Sequence, residues 1–263
     1  MTKKSTAFIH VDDYGYTKSM SEKILYCIEN GSVNSVSIMI DTESEVIETI
    51  KQQDSVLKKL HLNLTSLSEV RNVSNHEKLT RLTFFRLFFA SKSIKEVCKK
   101  ELNHQIEKFI EHFEYNNIEV DGHHHIQAIP WIYKFLIDHK EIQIENIRIP
   151  SEKIVLLDFK CLFNLTFYRN LVAVLILKLL CLRKKRYAKK GFAGLLYSGI
   201  YNLNSLKKHL HKLNNFYSEF EITFHPGHPV ESEHKVFKEN HLKYVTSENR
   251  VREYELLQNK FLY

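Results

Sequence analysis

Phe8-Ile9-His10-Val11-Asp12-Asp13-Tyr14-Gly15 is a run of strand formers that ends in two adjacent carboxylates and a glycine. Neighbouring side chains on a strand point to opposite faces, so both carboxylates enter one pocket only if the chain turns there, a freedom that Gly15 supplies. Two carboxylates in a pocket make a place for a cation. The same residues also suit an ordinary strand-to-helix turn in which Asp caps the next helix, because Asp and Gly are favoured in turns for local reasons. What the rest of the chain delivers to this strand end decides between the two.

Downstream, Ser19-Met20-Ser21-Glu22 has the spacing of a capping box; Ile24, Leu25 and Ile28 share a helix face, and Gly31 supplies a stop. Residues 33–40 alternate and are rich in β-branched side chains, which predicts a second strand, with a helix over about 43–53. Leu60-His61-Leu62-Asn63-Leu64 predicts a third strand, with His61 on the face opposite Leu60 and Leu62. Residues 66–93 carry a polar stretch and then Phe84, Phe85, Phe88 and Phe89, read either as a lid over a substrate or as packing against the body. A strong helical period follows over 94–113, then a brief strand at 118–120 that runs into Asp121-Gly122-His123-His124-His125.

Pro130 suits the first position of a helix through about 139, and 144–149 is another alternating strand. Residues 156–182 are largely apolar and helical in character. Behind them lies a basic cluster of Arg183, Lys184, Lys185, Arg186, Lys189 and Lys190, either a solvated helix end or a membrane or nucleic-acid patch. A weaker strand at 193–198, a helix at 205–216, a strand at 220–224 ending in His225-Pro226-Gly227, and a final helix at 245–261 complete the chain.

About seven strands separated by helices predict an α/β fold with a parallel sheet or barrel. The 263 residues are enough for one such domain over 1–263, and no linker or repeat divides them. A charge of +7 from 38 basic and 31 acidic residues is a modest excess that serves solubility, and no nucleic-acid partner is expected. Cys27, Cys98, Cys161 and Cys181 form no CxxC pair, and no apolar leader precedes the first strand, so a reducing cytoplasm is the expected compartment. The most apolar stretch, 171–177, is far shorter than the roughly 20 residues that span a bilayer.

Four predicted strands place ligand-type residues at their C-terminal ends: Asp12 with Asp13, His61, His123 to His125, and His225. In parallel α/β folds those ends share one face, where sites are built. An Asp with two His leaves coordination positions open for water and substrate, and a second, unligated carboxylate beside them can take a proton from that water. Amide or ester hydrolysis follows from such a set. Neither a GxSxG elbow nor a P-loop is present.

The ordered set HVDDYGYT, HLNLT, DGHHHIQAIP, IRIP and FHPG resembles the YdjC-like family of carbohydrate deacetylases, with matches from Val11 to Gly227. The resemblance implies a TIM-like (β/α) barrel and metal-dependent removal of an N-acetyl group from an amino sugar, oligosaccharide or glycolipid intermediate. It also implies Asp13, His61 and His123 as ligands of one divalent metal ion, Asp12 as the base and His225 as the acid or oxyanion partner. His125 would line the site, and Arg148 would orient a carboxylate or the substrate. The chain departs from the family pattern at His10-Val11, at Tyr14, and at Gln127, where a further alternating histidine is usual. Magnesium is implied by the resemblance, whereas two His and one Asp suit zinc on softness grounds. A metal-dependent phosphoesterase on the same barrel remains an alternative, as does a non-catalytic protein binding a membrane surface through the Arg183–Lys190 cluster. The sequence leaves a homodimer open.

Overall fold

The computed structural model describes residues 5–66, 82–184 and 188–260. Seven strands form one parallel sheet: β1 (Thr6–Tyr14), β2 (Ser35–Ile38), β3 (Leu57–Leu62), β4 (Asn117–Gly122), β5 (Gln143–Ile147), β6 (Gly191–Ala193) and β7 (Glu219–Phe224). Their spatial order is β5-β4-β3-β2-β1-β7-β6, so the two edges are β5 and β6. The helices are α1 (Lys18–Asn30), α2 (Ser44–Lys51), α3 (Phe84–Phe88), α4 (Lys92–Phe113), α5 (Pro130–Ile137), α6 (Leu165–Cys181), α7 (Leu203–Phe216), α8 (Glu239–Val245) and α9 (Glu248–Leu257).

The period-2 pattern of the strands sorts two chemistries onto two faces. Ile9 and Val11 of β1, Leu60 and Leu62 of β3, Ile118 and Val120 of β4, and Phe220, Ile222 and Phe224 of β7 are buried in the main hydrophobic core. The alternate residues His10, Lys59, His61, Asp121 and Glu221 are equally buried but polar. Lys59 pairs with Glu221, and Arg148, just past β5, reaches Glu221 on β7 at 2.5 Å. Those strands are several places apart in the sheet, so the sheet curls into a half-barrel whose concave side is filled with charge. A TIM barrel ordinarily packs branched aliphatic side chains there.

The TIM-like expectation of seven parallel strands therefore holds, with an open seam between β5 and β6 among the described residues. Several boundaries differ from the sequence reading. The cap of α1 is Thr17, whose side chain accepts from the Met20 amide, while Ser19 and Ser21 lie inside the helix. The sixth strand is 191–193, not 193–198: Gly194 has φ +114 and lies so close under Thr223 that a Cβ would strike its carbonyl oxygen at 2.3 Å. The apolar stretch 156–182 becomes one helix only from Leu165, where the Asn164 side chain caps the first turn. The final helix is α9, shorter than the expected 245–261, and a separate helix, α8, precedes it. Lys185, Arg186, Phe261 and most of the polar part of 66–93 lie outside the described residues.

Candidate active site

The two carboxylates of β1 are turned by the strand itself. Pairing with β2 shifts register between Val11 and Tyr14, and Asp13 sits in the left-handed region at φ +70. Such a bulge re-aims side chains, and Asp tolerates left-handed backbone better than most residues. Asp12 and Asp13 thereby both line one cavity of about 940 Å³, together with His61, His123, His125 and His225. After β4 the chain holds His124 and His125 at φ +54 and +56, which turns three consecutive histidines toward different partners. His123 faces Asp13, His124 bonds the Thr65 hydroxyl at 2.9 Å, and His125 packs edge-on against Phe192. Consecutive left-handed residues cost of order 1–3 kcal/mol each, a cost that concentrates at functional sites.

Asp13, His61 and His123 converge: one potential ligand atom from each lies within 4.8 Å of the others, all buried. Asp13 Oδ1 is 3.0 Å from His123 Nδ1 and 3.5 Å from His61 Nε2. The other nitrogen of His61, Nδ1, is 2.5 Å from Asp121 Oδ1, the outer carboxylate that commonly orients a metal-bound imidazole. His61 Nε2 and His123 Nε2 are buried without a hydrogen-bond partner. Buried unpaired polar atoms are rare in folded proteins, and a cation between Asp13 Oδ1 and the two imidazoles would give His61 Nε2 its partner, so the residues fit a divalent ion.

Electrostatics separate the two neighbouring carboxylates. Against the penalty of burial, Arg148 and His61 hold the Asp12 carboxyl well below the usual carboxylate range. Arg250 and His123 do the same for Asp13, with Arg250 Nη2 donating to Asp13 Oδ2 at 2.8 Å. Burial opposes a charge on His61, yet Asp12 and Asp121 raise it to about 10. Burial, with Arg148 nearby, pushes His125 down to about 3, so its imidazole is neutral.

Arg148 does not reach the cavity wall. Its Nη1 donates to both Asp12 oxygens at 3.0 Å, while Nη2 and Nε lie within ion-pair distance of Asp121 at 2.6 Å and Glu221 at 2.5 Å. His225, at the end of β7, has Nε2 3.6 Å from Asp12 Oδ2, and its backbone N–H donates to Glu253 of α9 at 2.5 Å. The same Glu253 accepts from the Gly199 amide at 2.6 Å and the Ser198 hydroxyl at 3.0 Å.

Asp121, Glu221, Arg250 and Glu253 were not singled out from the sequence. Asp121 had a signal, since alternation with Val120 sets it on the face of His61. Arg250 and Glu253 had none: they come from a polar helix more than two hundred residues after β1.

Three comparisons bear on the chain. Carbohydrate deacetylase of Mus musculus is 25% identical over 159 residues, covering 55% of this chain and 50% of that protein. The Danio rerio carbohydrate deacetylase is 26% identical over 133 residues, 45% of this chain and 41% of its own length. The chain thus spans about half the length, or less, of the curated relatives it matches. A crystal structure from Enterococcus faecalis V583, described as a "putative cellobiose-phosphate cleavage protein", superposes with a TM-score of 0.64 at 15% identity, covering 97% of this chain and 91% of that one, and it shares the fold. The family model described as YdjC-like protein matches residues 6–262, nearly the whole chain. The chain belongs to the YdjC-like family.

Proposed function

We propose that the chain is a metal-dependent hydrolase that removes the N-acetyl group from an amino sugar or oligosaccharide. The observation that carries this reading is the convergence of Asp13, His61 and His123, with unpaired buried nitrogens, beside a carboxylate that is not part of the set. The names of the mouse and zebrafish relatives supply the substrate class.

Asp13, His61 and His123 would hold the ion. A divalent cation there supplies Lewis-acid polarisation of the scissile carbonyl and acidifies water. Asp12 takes the proton of the attacking water, and Arg148 fixes its orientation from beneath the cavity. His225, close to Asp12 Oδ2 and on the cavity wall, donates a proton to the amine nitrogen as the acetyl C–N bond breaks. Water's oxygen ends on the acetyl carbon, and acetate and a free amine leave. The neutral imidazole of His125 lines the same wall and offers a hydrogen bond to a sugar hydroxyl.

Metal analysis of the purified protein, combined with acetate release from a panel of N-acetylated mono-, di- and oligosaccharides, tests the reading. Stoichiometric divalent metal with acetate release supports it. Phosphate release from phosphorylated sugars without acetate release would favour the phosphoesterase instead. The identity of the bound ion separates zinc, which suits two imidazoles and a carboxylate, from the magnesium that the resemblance implies.

A further inference from the structure

Helix α6 buries one side, with Phe167, Val174, Leu177 and Cys181 against the body, and leaves the other bare. Leu165, Tyr168, Val172, Leu175, Leu179 and Leu182 recur at helical spacing on that outer side; Leu165 is 86% and Leu179 69% exposed. Phe159 and Phe163, in the turn before the helix, are exposed by 74% and 92%. On α3, Phe84 packs against the small core cluster to which Leu177 and Cys181 of α6 also belong, and Phe85 and Phe89 of the same helix are exposed rings. A helix side carrying this many exposed apolar side chains marks an interaction face.

The charge of this face selects its partner. Residues 159–190 contain no Asp or Glu, while Lys160 and Arg183, at the two ends of the apolar stripe, are exposed. A second copy related by two-fold symmetry would set the Lys160 and Arg183 ends of this stripe against each other, cation facing cation. An anionic bilayer supplies both an apolar layer and the counter-charge. We propose that the outer side of α6, with the exposed rings of α3 and 159–163, docks in the plane of an anionic membrane surface. Among the described residues no helix is long and apolar enough to cross a membrane, and the buried side of α6 holds it along the body.

The docking has a consequence for the cavity. Arg169, Asn170 and Ala173, on the flank of α6 between its buried and outer sides, line the cavity, as does Phe84 of α3. A docked molecule therefore holds its cavity beside the headgroups. If the cavity deacetylates sugars, a conclusion that rests on the preceding reading, its substrate is an acetylated amino sugar carried on a lipid.

Flotation of the full chain with phosphatidylcholine vesicles, with and without phosphatidylglycerol, tests the docking at low and high salt. Wild type is expected to float with the anionic vesicles and at least about tenfold less with neutral ones or at high salt. Leu175→Glu with Leu179→Glu should lower vesicle binding at least about tenfold, and Lys160→Gln with Arg183→Gln should weaken it and flatten its salt dependence. All four positions lie off the cavity wall, so acetate release from a soluble N-acetylated oligosaccharide should persist in both double variants and shows that they fold. Wild type that fails to float, flotation indifferent to both double variants, or a stable dimer that excludes vesicles would overturn the docking. Absence of acetate release in wild type would sink only the deacetylase reading, because flotation is measured without turnover.

Discussion

Replacing Arg148 by Gln removes the cation shared by three buried carboxylates, those of Asp12, Asp121 and Glu221, each within 3.0 Å of the guanidinium. Removing one partner of a buried ion pair costs about 3–5 kcal/mol, chiefly through the charge left behind; Glu221 keeps Lys59 and Asp121 keeps His61, so the charge most exposed by the loss is that of Asp12. An unfolding free energy lowered by at least about 3 kcal/mol is expected at neutral pH. The pH dependence gives the cause its own signature. In wild type Arg148 depresses these carboxyls, so their contribution is present above the unfolded carboxylate range and lost as pH falls through it. Without Arg148, burial raises the Asp12 carboxyl, the folded state holds a proton the unfolded chain has released, and stability falls as pH rises. The deficit of Arg148→Gln should therefore widen from pH 5 to pH 7.5. Arg148→Lys should recover only part of it, since a single ammonium cannot fork to three carboxylates. Urea unfolding at the two pH values measures both differences. An Arg148→Gln deficit under about 0.5 kcal/mol at pH 7.5, or one that does not grow with pH, would refute the picture of an Asp12 carboxylate held in the barrel interior by the Arg148 guanidinium.

Asp12→Asn should reduce acetate release by roughly 10²–10⁴-fold while metal content, read by elemental analysis, stays at the wild-type level; unchanged turnover would reject its role as base. His61→Ala and His123→Ala should instead lower metal content, and a fully metallated double variant would refute the ligand assignment. His209, buried and 2.6 Å from the Tyr201 hydroxyl, is pushed by burial from 6.5 down to about 4. Its contribution is complete above pH 6.5 and is lost as pH falls toward 4, amounting to roughly 3 kcal/mol. His209→Gln should unfold with a flatter pH dependence across that interval, and an unchanged slope would contradict the assignment.

The fold and half of the site were legible because both rest on local patterns. Alternation in 33–40, 60–64 and 220–224 marked strands whose apolar residues are in the core, and the polar residue at each strand's end followed from parallel topology. Where propensity and tertiary contact disagreed, contact won. Residues 193–198 look like a strand, but Gly194 turns under Thr223 and ends β6 at Ala193. Asp13 shows the same limit at finer grain: Gly15 was the visible source of flexibility, yet the register shift against β2 puts Asp13 itself in the left-handed region. The cations that hold the carboxylates were less legible. Arg148 was reached only through the IRIP motif of the resemblance, and Arg250, on a polar helix, carries no local mark that separates it from a surface residue. Closure of the sheet brings Arg148 beneath the cavity, and the packing of α9 puts Arg250 on its wall.

That closure also gives two adjacent, chemically identical side chains different surroundings. Both Asp12 oxygens are engaged by Arg148, and Oδ1 is also 3.0 Å from His10 Nε2. A carboxylate so occupied has little electron density left for a metal, but its Oδ2 still faces His225 across the cavity. Asp13 meets an arginine on one oxygen only, Arg250 at Oδ2, and its Oδ1 lies between the two imidazoles, 3.0 Å from His123 Nδ1 and 3.5 Å from His61 Nε2. The other acidic groupings with metal-ligand spacing, His10 with Asp121 and Glu221 and Asp12 with His61 and Asp121, surround the Arg148 guanidinium, which already supplies their positive charge. The arrangement thus supports Asp13 as the ligand and Asp12 as the proton acceptor on the strength of which oxygens the arginines leave free, independently of any likeness in sequence.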